Sequence, residues 1–371
     1  MKEKNQAEEK QEEAFNSLKD NTFLFLKNYN KMPNLKVLVA GSTGYIGIQL
    51  IKLLIKHRYV KIKYLCGNSS VGKKISYYDK ELKNKKLPKI IKFNQNLLNN
   101  VDVIFTALPN GEAQKISKKL STKNVLIDLA ADFRLKKASQ YLKWYRVKHK
   151  APEKIKSSFY SLPEINGEMI KGNRIISCPG CYPTSILLPL IPLIKLKLIR
   201  LNNIIIDSKS GYSGAGREIH KKSKGQNLYE SLKAYNVGFH RHNPEIEQMI
   251  NKFSKKKVRF QFTPHLSPMF RGILSTIYID LNKNISINNI LKTLKKYYKK
   301  HEFIKVLKLD SVLSTNDVIN TNYCYISVCK SKYNDKIIIL SAIDNLIKGG
   351  AGQAIQNMNI LHNFNIVEGL K

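Results

Sequence analysis

Lys36-Val37-Leu38-Val39-Ala40-Gly41-Ser42-Thr43-Gly44-Tyr45-Ile46-Gly47 is the stretch on which the fold turns. Its first five residues read as a short buried strand, and glycines at every third position read as a sharp turn. Ile48, Leu50, Ile51, Leu54 and Ile55 follow at helical spacing, and Lys61 to Cys66 reads as a second strand. Strand, glycine turn, helix and strand within about thirty residues are the setting in which such a turn holds a dinucleotide. Gly41 to Gly47 (with Ser42, Thr43, Gly44, Tyr45 and Ile46 between) would let the backbone approach a pyrophosphate, and the helix N-terminus would supply unpaired N–H groups. A glycine turn that serves no nucleotide remains the alternative at this point.

Reading outward, Val101 to Ala107 and Val125 to Leu129 are further buried strands. Each ends in a loop, Leu108-Pro109-Asn110-Gly111 and Ala130-Ala131-Asp132-Phe133-Arg134, where ligands of open α/β sheets bind. After residue 181 the pattern changes to longer strands: Ile204 to Lys209, Arg259 to Thr263, Leu274 to Asp280, Tyr323 to Cys329 and Ile337 to Ile343. Amphipathic helices between them predict an α+β domain on a mixed or antiparallel sheet. Gly349, Gly350 and Gly352 are expected to interrupt the chain before a final helix, Gln353 to His362. The expected class is α/β, with a Rossmann-type dinucleotide-binding domain over 32–180. A catalytic and oligomerisation domain over 181–345 and a C-terminal helix over 346–371, returning to the first domain, complete it. Residues 1–31 are polar apart from Phe23 to Leu26, which predicts a loosely helical or disordered extension, with Met32 as an alternative start.

Composition narrows the function. The chain has 371 residues, enough for two domains, and 43% hydrophobic with 25% charged residues is a globular balance. Its longest apolar run, Ile186 to Ile194, contains two prolines and falls well short of the roughly 20 residues a bilayer span needs. No secretory leader precedes it, so a cytoplasmic enzyme without a membrane role is expected. The net charge of +37 is the outlier. It raises nucleic-acid binding as a rival, but the lysines are scattered and no aromatic-basic readout motif accompanies them. A positive field that draws phosphorylated ligands is the milder reading. Five cysteines without a leader indicate reduced thiols. Cys178 and Cys181 have zinc-like spacing, yet Cys324 and Cys329 make a poor second pair, so no metal is expected.

From Ile48 to Tyr78 there is no acidic residue to accept a ribose 2′-hydroxyl. Ser69, Ser70 and Lys73 in the turn after the second strand suit a 2′-phosphate instead, which favours NADP over NAD. Cys181, in Cys178-Pro179-Gly180-Cys181-Tyr182-Pro183-Thr184, precedes an apolar helical stretch. A helix N-terminus favours thiolate over thiol and makes the sulfur a nucleophile. Pro183 suits an early helical position, and Pro189 and Pro192 are expected to kink the helix. By composition alone an inert buried cysteine is the stronger reading. His240 and His242, in His240-Arg241-His242-Asn243-Pro244-Glu245, are partners of the right chemistry, though such a pair is more often superficial. Ser210-Gly211-Tyr212-Ser213-Gly214-Ala215-Gly216-Arg217 suits an oxyanion or phosphate, and His265 with Arg271 marks a weaker anion contact.

Together, Gly41 to Gly47, Cys178 to Thr184, Gly211 to Arg217, His240 to Ile246, Arg271 to Leu274 and Asp344 to Gln353 resemble the N-acetyl-gamma-glutamyl-phosphate reductase family. The resemblance runs from about Met32 to the C-terminus, with Cys178 where the family usually has Asn. It implies NADPH-dependent reduction of N-acetyl-L-glutamyl 5-phosphate to the semialdehyde in arginine biosynthesis, releasing inorganic phosphate. Cys181 would be the nucleophile and His240 the general acid–base. The resemblance also implies Asn345 near the nicotinamide, and a homo-oligomer, dimer or tetramer. Ser213, Gly214, Arg217, His242 and Arg271 are the expected substrate contacts. Related reductases of aspartyl or aminoadipyl phosphate are the nearest rivals.

Overall fold

β1 (Leu35–Ala40) lies at the centre of its sheet because it is apolar on both faces, with only Lys36 exposed. The computed structural model describes residues 34–217 and 230–371, so the expected extension over 1–31 lies outside the described residues. β2 (Val60–Cys66), β3 (Ile90–Ile91), β4 (Val103–Thr106), β5 (Val125–Asp128), β6 (Ser158–Tyr160) and β7 (Ile175–Ser177) complete the sheet. The order is β3-β2-β1-β4-β5-β7-β6, and every pairing is parallel. The order in which strands are added switches sides between β1 and β4, which opens a crevice at their carboxyl ends. Gly41, at φ +83, turns the chain there, and any side chain on it would overlap the Ala107 carbonyl. The helix that follows, α1 (Tyr45–Leu54), has no side-chain cap and no acid in its first turn.

β7 leads through Cys178-Pro179-Gly180 into α2 (Cys181–Lys195). Every residue of α2 from Tyr182 to Ile194 is buried, as expected of a helix apolar all round. Helical structure continues to Lys195 through Pro189 and Pro192, so neither proline ends it. α2 packs beneath a second sheet of β8 (Ile204–Gly211), β9 (Lys233–Ala234), β10 (Phe260–Ser267), β11 (Ile273–Asp280), β12 (Ile304–Val306), β13 (Cys324–Lys330) and β14 (Lys336–Ile343). Its order is β12-β13-β14-β11-β8-β10-β9, parallel at β8/β10 and β12/β13 and antiparallel elsewhere. Alternation decides its faces: Ile204, Ile206, Ile277 and Ile339 join the core with α2, α3 (Asn243–Ser254) and α4 (Ile287–Tyr298). Ile205 and Tyr278, on the opposite face, are each 43% exposed.

The C-terminal glycines require a correction. Gly349 and Gly350 do not interrupt the chain: Ile347–Ala351 forms a π-helical turn that runs directly into α5 (Gly352–Leu361). At Gly349 a neighbour presses against the backbone, whereas Gly350 has room for a Cβ. A Cβ on Gly349 would stand 2.7 Å from the Cβ of Cys181. Ala354, Ile355 and Met358 of α5 pack into the core of the first sheet.

Candidate active site

Three segments from distant parts of the chain converge on the crevice. The first carries Cys181, the opening residue of α2, after an extended Gly180. Its thiol is half-buried, and Gly349 closes over its base. Burial pushes the Cys181 thiol above its ordinary value of 9.0, opposed chiefly by Arg134, then by the Tyr182 N–H and Arg241, while Glu245 adds to the rise. Desolvation thus works against the thiolate that the helix start favours.

The second segment supplies the histidines. The rings of His240 and His242 lie 4.8 Å apart, and Tyr182 abuts both. Burial, with Arg241 beside it, lowers His240 to about 3. Burial also holds His242 well below its ordinary value, helped by His240, Arg134 and Arg241. Both rings are neutral near pH 7. His240 Nδ1 accepts the His242 backbone N–H at 3.1 Å, which assigns the ring proton to Nε2. His242 Nε2 lies 3.4 Å from Arg134 Nη1, and its Nδ1 has no partner among the described residues. That leaves Nδ1–H as a buried donor with its bond unmade.

The third segment is the glycine turn. A cleft of about 690 Å³ runs from Gly44, Tyr45 and Gly47 past Asn345 to Cys181 and His240. The uncapped α1 start and the space beside Gly44, whose nearest neighbour to a Cβ would be the Gly41 carbonyl at 3.6 Å, fit a dinucleotide pyrophosphate. Ser42 is buried and its hydroxyl donates to the Cys66 carbonyl, so the turn offers backbone rather than this side chain. Asn345 accepts the Gly272 N–H at 2.7 Å and donates to Ser213 Oγ at 2.9 Å, which joins two expected residues in the cleft wall. Gly214 lies beside them.

Other expected residues stand elsewhere. Arg217 donates from Nε to the Thr43 carbonyl at 2.9 Å, its guanidinium 4.5 Å from the Tyr45 ring centre, so it covers the glycine turn rather than the sulfur. Arg271 is paired with Asp344, Asn320 and Gln49 and does not line the cleft. Its guanidinium faces the buried Asp344 carboxylate. Ser70 is buried with its hydroxyl turned against Gly67. Ser69 and Lys73 are exposed just beyond β2, with the Lys73 ammonium 4.6 Å from the Tyr77 ring centre. His265 pairs with Asp207 at 2.9 Å on the open face of the second sheet.

Residues 36–173 match the family model "Semialdehyde dehydrogenase, NAD binding domain", and residues 181–345 match "Semialdehyde dehydrogenase, dimerisation domain". An N-acetyl-gamma-glutamyl-phosphate reductase of Ehrlichia ruminantium (strain Gardel) is 44% identical over 328 residues, 88% of this chain and 94% of that protein. The chain belongs to the N-acetyl-gamma-glutamyl-phosphate reductase family. A second member, from Clostridium beijerinckii, is 45% identical over 90% of this chain and 97% of its own. The fold is also that of an aspartate semialdehyde dehydrogenase with NADP from Candida albicans, at a TM-score of 0.64 and 20% identity over 89% of this chain and 99% of that one.

Within this reductase-family frame, sequence reasoning passed over three groups. Arg134, read only as part of a loop, is buried and donates to the Cys178 and Leu129 carbonyls, both at 2.9 Å. Arg241, read as a bystander between two histidines, lines the cleft. Lys348 is wholly buried and paired with Glu164, with Gln356 bonded to both, under the turn that carries Gly349. Nothing local marks Lys348, whose partner is 184 positions away.

Among the described residues, no group of three or more His, Cys, Asp or Glu side chains is placed to hold a metal ion, and no helix is long and apolar enough to cross a membrane.

Proposed function

We propose that this chain reduces N-acetyl-L-glutamyl 5-phosphate to N-acetyl-L-glutamate 5-semialdehyde with NADPH, through a thioester on Cys181. The observation that carries this reading is the single cleft shared by Cys181, His240 and the open start of α1. The Cys181 sulfur attacks the acyl carbonyl, the bond to phosphate breaks, and the thiol proton leaves with the phosphate. Attack is by the thiolate, so the thiol gives up its proton, taken by the departing phosphate, as the sulfur bonds to carbon. When bound, NADPH supplies the hydride that reduces the thioester. His240 then offers Nε2–H to the developing oxyanion, as a neutral imidazole suited to donation without desolvating a charge. Cleavage of the C–S bond releases the aldehyde, and the sulfur regains a proton from solvent.

Arg134, Arg241 and the unmade donor of His242 are the groups proposed for the substrate's anionic oxygens, with Ser213 and Gly214 at the wall nearest Asn345. Arg217 passes to the cofactor side, and Ser69 and Lys73 remain the proposed 2′-phosphate contacts. The division into 32–180, 181–345 and 346–371 is retained as a proposal, as are a cytoplasmic setting and assembly of copies through the second domain. Aspartyl phosphate is disfavoured as substrate because the likeness to aspartate semialdehyde dehydrogenases is one of fold, at 20% identity for the Candida protein. Phosphate-dependent NADP reduction with N-acetylglutamate 5-semialdehyde tests the reading. Turnover with that aldehyde, and little with the aspartate or aminoadipate semialdehydes, is expected; equal or better turnover of either rival overturns the assignment.

A further inference from the structure

Glu245 occupies the first turn of α3, three residues after His242, where a glutamate ordinarily reaches back to the helix cap. Here it does not, because the His242 N–H already donates to His240 Nδ1. The carboxylate instead crosses to the other wall of the cleft. Its Oε1 accepts the Gly180 N–H at 2.8 Å and the Tyr160 hydroxyl at 2.8 Å, and its Oε2 lies 3.5 Å from Arg134 Nη1. No part of Glu245 is exposed. Gly180 is the residue immediately before the nucleophile, and a Cβ on it would come within 2.8 Å of Arg134 Nη1. One oxygen therefore binds the peptide that places Cys181 to the helix that places His240 and His242.

We propose that Glu245 is a positioning residue: by accepting the Gly180 N–H it sets the distance between the Cys181 sulfur and the histidine loop. It acts through that peptide, and what it supplies is a fixed acceptor at Oε1. Its negative charge faces Arg134 and, for thiol ionisation, is adverse. This separates two substitutions that are usually grouped together. Glu245→Gln keeps an acceptor at the same reach and loses the charge. Glu245→Asp keeps the charge and withdraws the acceptor by one methylene, leaving the Gly180 N–H buried and unmet.

The inference rests on Cys181 being the nucleophile, and the test is arranged so that the two fail separately. Full-length protein carrying each substitution is assayed for kcat and KM in the phosphate-dependent oxidation, for NADPH binding by fluorescence titration, and for iodoacetamide labelling of Cys181 by peptide mass spectrometry. Glu245→Gln is expected to stay within about fivefold of the parent kcat, because the bond to Gly180 survives. Glu245→Asp is expected to lose at least about 30-fold in kcat, with KM and NADPH affinity changed less than about threefold, since loss of alignment falls on the chemical step. Labelling of Cys181 in Glu245→Asp should slow at least about fivefold, and in Glu245→Gln should not slow. The reverse order, with Asp tolerated and Gln crippled, shows that the charge beside Arg134 is what matters and overturns the proposal. Parent-like kcat in both variants overturns it as well. Full turnover in Cys181→Ser instead sinks the nucleophile assignment, while the labelling comparison still reads the geometry around Gly180.

Discussion

The two ends of the cleft are built to different standards. At the sulfur, each backbone turn is held from another part of the chain: Gly349 lies against Cys181, Glu245 accepts from Gly180, and Arg134 donates to Cys178. Beyond β2, where a 2′-phosphate is proposed to sit, Ser69 and Lys73 are exposed, and the Lys73 ammonium lies over the Tyr77 ring. The buried end fixes atoms to fractions of an ångström, as bond-making requires. The exposed end needs only charge of the right sign within reach, because recognition of a phosphate tolerates longer and wetter contacts. Substitutions at the first end should therefore change rate, and substitutions at the second should change which cofactor is preferred.

The largest effect that contrast predicts is at the nucleophile. Cys181→Ala should reduce semialdehyde oxidation by about 10⁴-fold or more while NADPH still binds, as fluorescence titration would report. Comparable turnover would remove the covalent route and the contrast with it. Next in size is Gly349→Ala, whose new methyl group would stand 2.7 Å from the Cys181 Cβ. We expect kcat to fall about 100-fold with NADPH affinity little changed, since displacement of a reacting atom by an ångström costs that much. Equal loss of rate and cofactor affinity would mean that the turn serves both ends alike.

A third measurement uses pH. Because burial raises the Cys181 thiol above 9.0, its thiolate fraction should grow about tenfold per pH unit through neutrality, and iodoacetamide labelling should still be climbing at pH 9. With His240 lowered to about 3, no change in labelling should follow a histidine titration near pH 6.5. A plateau below pH 8 would place a stabilised thiolate in the free protein. The smallest effect belongs to the exposed end: Lys73→Glu should weaken NADPH about tenfold and leave NADH within about twofold. Equal weakening of both would move the 2′-phosphate elsewhere.

What was legible in the sequence follows the same division between local and distant causes. β1, β4 and β5 are short apolar runs ending in turns, and the long strands of the second sheet alternate clearly, so these were legible, whereas β3, β6, β7, β9 and β12, two or three residues each, carry too few positions to show a period. Gly41 to Gly47 carry their reason locally, in the turn they make. Gly349 and Gly350 do not: they read as a break because what presses on Gly349, the base of Cys181, is remote in the chain. Arg271 and Ser70 looked available for a ligand because nothing near them in sequence shows that Arg271 is paired with Asp344 or that Ser70 is buried. Arg134 and Glu245 were missed for the converse reason, being 111 positions apart and meaningful only as a pair.

The helix that begins at Cys181 also separates two kinds of change. It is buried from Tyr182 to Ile194, largely in the second sheet's core, so the reactive sulfur sits at the tip of a stiff strut whose shaft is held in that core. The segments that would recognise the acyl group, around Ser213 and Arg241, are loops at the rim. A different acyl chain can then be accommodated by recasting the rim while the strut stays where it is, which makes selectivity adjustable at little risk to reactivity.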